Sequence, residues 1–218
     1  MSTNIIVSAS ARTTVDADRW TLQIGLSFPG RPSELELEAE LGGFIDSLTD
    51  DALSVPSLVR APVLSDPKFR EEFGRTWTAD VTLNVETADI EAAVRWLEEN
   101  GVFDSDDVTV VEATLTPHAS AVVAAAALGV ARADAVMLAH SNAEAYAALL
   151  YSPVSGLSLT ELKEDSSAVR QPAPRLVPGR RTGAGHLAFA EVILSVADVA
   201  DVVAEADIAV TGTYFTNA

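Results

Sequence analysis

Apolar and polar positions alternate at the start of the chain. Ile5, Val7, Ala9 and Ala11 fall on one side of the alternation, which predicts a first strand over residues 5–15. Trp20, Leu22, Ile24, Leu26 and Phe28 then alternate with Thr21, Gln23, Gly25 and Ser27. That pattern predicts a second strand with one wet face. The acid-rich DAD at 16–18 supplies a turn between the two, and Pro29-Gly30 is expected to stop the second. The period then lengthens. Leu37, Leu41, Phe44, Ile45 and Leu48 recur at helical spacing behind Ser33 and Glu36, a capping-box pair. Gly42-Gly43 weakens the middle of this helix or admits a close neighbour.

Pro56, Pro62 and Pro67 break the next stretch, where a short edge strand is expected over 58–64. Trp77, Ala79, Val81, Leu83 and Val85 alternate as a further strand. A helix follows, with Thr87 or Asp89 as cap, Ile90, Val94 and Leu97 on one face, and Asn100-Gly101 as its stop. Residues 108–116 read as a strand ended by Pro117. Positions 121, 124, 128, 131, 135, 138, 142, 145 and 149 step by three and four. They trace an apolar seam interrupted only by Asn142, along a long Ala-rich helix. The seam packs on a sheet, on another helix or on a neighbouring subunit. Strands are expected at 156–164, 187–196 and 208–216, and 199–206 is ambiguous. Residues 165–185 are a loop by composition, rich in Pro, Gly and Ser, with Arg170, Arg175, Arg180 and Arg181 gathered in it. Strands that arrive in pairs predict α+β: a mainly antiparallel sheet built from ββα units, with the long helix across it. One domain is expected over 1–218, with a flexible loop at 165–185.

Composition narrows the function classes. The 218 residues are 48% hydrophobic and 21% charged, a globular balance. A net charge of −18 repels phosphate backbones and anionic membranes, so nucleic acid is not an expected partner. Cysteine is absent, which removes disulfides, thiolate catalysis and Cys-ligated metals. The N-terminus lacks a basic region followed by a continuous apolar run, so the cytoplasm is the expected compartment. The uninterrupted apolar run at 121–131 ends at Arg132 and Asp134, short of the ~20 residues of a membrane span.

Candidate chemistry is sparse. HExxH, GxxxxGK[ST], GxSxG and a GxGxxG after a strand are all missing. His118, His140 and His186 have no partner at a ligand spacing. The acid groups Asp16 and Asp18, Asp50 and Asp51, and Asp104, Asp106 and Asp107 sit in polar turns, where nothing shifts a pKa toward acid–base work. Trp20, Trp77 and Trp96 lie on apolar faces and read as core. No catalytic, cofactor or metal residue is expected.

The order of these elements resembles the SIMPL-domain family. IIVSASARTTVDADRWTLQIGLSF is similar to its opening, with Ala17-Asp18 where Pro-Asp is usual and Ala9 where glycine is usual. RTWTADVTLNVETADIEAAVRWLEENGV resembles its middle, ARADAVMLA its Ala-rich helix, GLSLTE the strand after it, and ADIAVTGTYF its last strand. Asn142 departs from the family's glycine, and the chain is longer before Gly156 and over 182–206. The resemblance implies an α+β protein without established enzymatic activity, in a family where some members form ring- or channel-like homo-oligomers and some are tied to stress. The functional expectation is an oligomer-forming or interaction protein. The alternative is a small-molecule binder with a pocket between helix and sheet.

Overall fold

The computed structural model describes residues 2–52, 55–72, 74, 76–103, 107–150, 154–177, 189–197 and 201–216. In chain order the elements begin with β1 (Ser2–Asp16), β2 (Arg19–Arg31), α1 (Glu34–Ala52), β3 (Val63–Leu64), β4 (Lys68–Glu72) and β5 (Thr76–Thr87). Then come α2 (Ile90–Glu99), β6 (Thr109–His118), α3 (Ala121–Leu150), β7 (Val154–Arg170), β8 (Arg175–Val177), α4 (Phe189–Ala197) and β9 (Asp201–Thr216). Every strand pairing among the described residues is antiparallel. The fold is α+β, with the long helix packed against a sheet as expected. Within the chain lie two compact units: Met1–Asp16, Ala119–Gln171 and Asp201–Ala218 in the first, Ala17–His118 and Pro172–Ala200 in the second. β1 and β2, adjacent in sequence, therefore belong to different sheets and do not form the expected hairpin.

The second unit is a sheet in the order β3-β5-β2-β6-β8, with β4 also on β5. Its inner face follows the predicted alternation: Leu22, Ile24, Leu26 and Phe28 of β2 and Ala79, Val81, Leu83 and Val85 of β5 are buried. Leu37, Leu41 and Leu48 of α1, Val94 and Leu97 of α2, and Ile193 of α4 join them in one core. Phe28 meets Phe44 edge-on at 5.4 Å between ring centroids. Asp89, not Thr87, caps α2: its Oδ1 accepts the N–H of Ala92 at 3.0 Å. Gly101, at φ 69°, ends α2. The N–H of Gly101 bonds the carbonyl of Glu98 and that of Val102 bonds Leu97, with Val102 buried behind them.

The first unit is simpler. Three long strands lie in the order β1-β9-β7, and α3 lies mainly over β1 and β9. The helix-side face carries Val7 and Ala9 of β1 and Val202, Ala204 and Ala206 of β9. The opposite face is mostly polar, with Ile6 exposed on it. There Arg12 and Arg170 both pair with Glu205, and Ser166 Oγ donates to Asp207.

Several expectations need correction. Pro29-Gly30 does not end β2, which runs to Arg31 through an irregularity after Phe28. Pro117 lies inside β6, opposite Trp20. The edge strand expected at 58–64 is reduced to β3 and an isolated Leu58–Thr87 bridge, and β4 follows it unannounced. Gly42 and Gly43 face open space, so no neighbour uses them for close approach. The expected loop at 165–185 is strand at both Asp165–Arg170 (in β7) and β8, and 178–185 lies outside the described residues. The strand expected at 187–196 is the helix α4 over its described part: a short continuous apolar run carries no period that separates the two.

Candidate functional site

α3 is packed inside out. Its buried residues are Ala127, Ala131, Ala135, Ala139, Ala143 and Ala147. Its large apolar side chains Val122, Val130, Met137, Leu138, Tyr146 and Leu149 are 46% to 81% exposed. The buried alanines step by four, and in a helix of 3.6 residues per turn each step advances about 40° around the axis. The contact line therefore winds along the helix, as a right-handed twisted sheet requires. This differs from the seam read from sequence. Of its positions only Ala131 and Ala135 are buried, while Ala121, Leu138, Ala145 and Leu149 are exposed.

The two flanks of this line differ. On one, Leu128 and Val169 of β7 pack against the same alanine cluster, and Arg132 donates to Glu164 at 2.9 Å and Ser167 at 3.2 Å. Those contacts fix that flank on the β7 side. Val122, Val130, Leu138 and Tyr146, spaced eight apart, occupy the other flank, on the β1 side. α3 is long and apolar enough to span a bilayer, with only 17% of its most apolar window buried. Its charges Arg132, Asp134 and Glu144 interrupt the run without making the helix polar.

A second feature lies in the other unit, on the sheet face opposite its helices. A groove of about 590 Å³ is lined by Ser27, Lys68, Arg70, Asp80 and Glu112 among others. A register shift between Gly25 and Leu26 shapes it: Val110 and Ala113 both turn inward, so Val111 and Glu112 stand on the open face. Asp80 accepts from Ser27 Oγ at 2.9 Å and from Arg70. The helix side of the same sheet is filled by the core, so the groove is not the pocket between helix and sheet considered from sequence.

The titratable residues singled out from sequence are scattered. His118 Nε2 lies 2.7 Å from Thr21 Oγ1 across the β2–β6 pair, half-buried. A hydroxyl and an imidazole at that distance are a nucleophile–base geometry, but no oxyanion donors converge on them among the described contacts. His140 Nε2 is 3.4 Å from Glu144 on α3. Asp50 and Asp51 lie exposed on α1 rather than in a turn, and Asp107 takes a bond from Arg31 at 3.1 Å. The hydrogen bond of Arg31 to Glu40, and then the one to Asp107, raise its guanidinium pKa. Trp96 is buried, and Trp20 and Trp77 are half-buried. His186, Asp104, Asp106, Arg180 and Arg181 lie outside the described residues. Arg170 is paired with Glu205, and Arg175 donates to the Val196 carbonyl at 3.2 Å. No group of three or more His, Asp or Glu side chains among the described residues is placed to hold a metal.

Two carboxylates in the first unit are held below their ordinary pKa. Hydrogen bonds from Ser167 and then Arg132 do this for Glu164, and hydroxyls of Ser10 and Ser166 do it for Asp207. The Arg132 bond ties α3 to β7, and those of Ser10 and Ser166 tie β1 and β7 to β9, whereas the Ser167 bond stays within β7; the two carboxylates do not form a converging pair. No family model matches the chain, and no curated protein matches it.

Proposed function

We propose that the chain is a non-enzymatic assembly protein of the SIMPL type, whose surface helix docks another protein subunit. One observation carries this reading: α3 buries alanines and exposes Val122, Val130, Met137, Leu138, Tyr146 and Leu149. Burying an apolar side chain is worth about 0.8 kcal/mol per CH₂. An alanine stripe gains little of this, and the exposed Val, Leu, Met and Tyr leave more ungained. Exposed apolar surface of that extent marks an interaction site. The charge of −18 supports a protein partner over nucleic acid. Light scattering across a dilution series tests the proposal. A stable multiple of 22.9 kDa is expected, and a monomer at every concentration overturns it.

A second reading, small-molecule binding, is favoured by the groove around Asp80 and Arg70. It predicts a ligand-induced rise in melting temperature that Asp80→Asn removes.

A further inference from the structure

We infer that the free edge of β1 and the uncovered flank of α3 form one seam, closed by a second copy of the chain about a two-fold axis. The inference rests on the assembly reading above and specifies its geometry.

Among the described residues the sheet has two open edges, and they are unlike. β7 carries three register shifts and the charges Glu161, Lys163, Glu164, Asp165 and Arg170. Bulges and charges are how edges are protected from further pairing. β1 has neither protection. It pairs with β9 in unbroken register from Ser2 to Asp16, contains no proline, and bears only Arg12 and Asp16 as charges. Its outer row of N–H and C=O groups pairs with no strand among the described residues.

Adding a second β1 to this edge also covers the helix. α3 lies over β1 and β9. Strands are spaced by about 4.8 Å, so a helix midway between β1 and β9 sits about 4.8 Å from an axis running between two β1 strands. Its copy sits as far on the other side. The two helices are then about 10 Å apart, antiparallel and side by side, within the 8–10 Å of packed helices. The flank that turns toward the axis is the one carrying Val130, Leu138 and Tyr146.

The registers agree. Ala9 is the middle residue of β1 and packs in one cluster with Ala135 and Ala139. A two-fold through Ala9 therefore passes close to Leu138. Full overlap of the strands sets Leu138 of one copy against Leu138 of the other, and Asp134 against Asn142. A carboxylate then meets an amide rather than a second carboxylate. Arg12 falls opposite Ile6 and Asp16 opposite Ser2, so like charges are not opposed. A seam about 45 Å long and two ~10 Å layers deep covers roughly 900 Å² per copy, against the ~800 Å² of a stable interface.

Because the chain has no cysteine, cross-linking tests the seam directly. Two variants are made, Leu138→Cys alone and a mixture of Ser8→Cys with Ser10→Cys, and each is oxidised and weighed beside the wild type. The expected result is a mass twice 22.9 kDa, a covalent dimer from Leu138→Cys, and a covalent dimer from the mixture that neither serine variant forms alone. A stable oligomer whose Leu138→Cys variant stays uncross-linked overturns the seam and leaves the assembly reading standing. Cross-linking at 138 without any in the mixture overturns the β1 pairing. A monomer at every concentration overturns both readings. Insertion of monomeric protein into phosphatidylcholine vesicles names the bilayer as the cover of α3 and overturns the seam as well.

Discussion

Ala135 of α3 packs against Ala9 of β1 in a buried cluster shared with Ala139. Nothing larger than a methyl group separates helix from strand at that level. Ala135→Leu forces extra carbons into the contact and is expected to destabilise the first unit by about 1–3 kcal/mol. Urea denaturation followed by far-UV circular dichroism measures this. A stability equal to wild type would show that the helix stands away from the sheet.

Leu138 offers the opposite case. It lies on the same helix, yet is 46% exposed. Leu138→Glu is expected to leave the melting temperature of dilute protein within a few degrees of wild type. The same change should lower the mass seen by light scattering. An unchanged mass would remove Leu138 from the assembly surface.

The depressed carboxylates give a pH signature. Glu164 and Asp207 have ordinary values of 4.5 and 3.8 and lie below them when folded. Each therefore stabilises the fold above its unfolded value, and loses that contribution as pH falls through the folded one. Glu164→Gln and Asp207→Asn should flatten the fall of stability below about pH 4.5, leaving the shape of the curve above pH 6 unchanged. Thermal melts from pH 7 to 3 read this out. Parallel acid limbs in wild type and variants would contradict it.

The ends of α2 make a local pair of predictions. Asp89→Ala removes the bond to the Ala92 N–H and should cost about 0.5–2 kcal/mol. Gly101→Ala places a Cβ at φ 69° and should cost about 1–2 kcal/mol. The two residues are at opposite ends of the helix, so their effects should add in denaturant unfolding.

β2, β5, α1 and α2 were legible in the sequence because their polar and apolar positions contrast. Leu22 to Phe28 and Ala79 to Val85 point to the core on every second residue. α3 was legible as a helix but not in its phase. Alanine occupies nearly every face of it, and a method that looks for apolar positions finds them all round. The missing signal is size: the buried line is where every residue is alanine, at a strict spacing of four. The pairing of β1 with β9 across most of the chain leaves no local trace, so the apparent β1–β2 hairpin was the natural reading. The groove was invisible for a related reason. It depends on a register shift between β2 and β6, which adjacent residues do not encode.

The alanine stripe also decides what kind of contact α3 makes with its sheet. Alanine has no rotamers to freeze, so docking the helix loses almost no side-chain entropy. What it gains comes from dispersion between atoms held near their optimal separation, which fades within an ångström. The contact behaves less like interlocking teeth than like two smooth plates. A single added methylene at Ala131, Ala135 or Ala139 props the plates apart and weakens the rows on either side of it together.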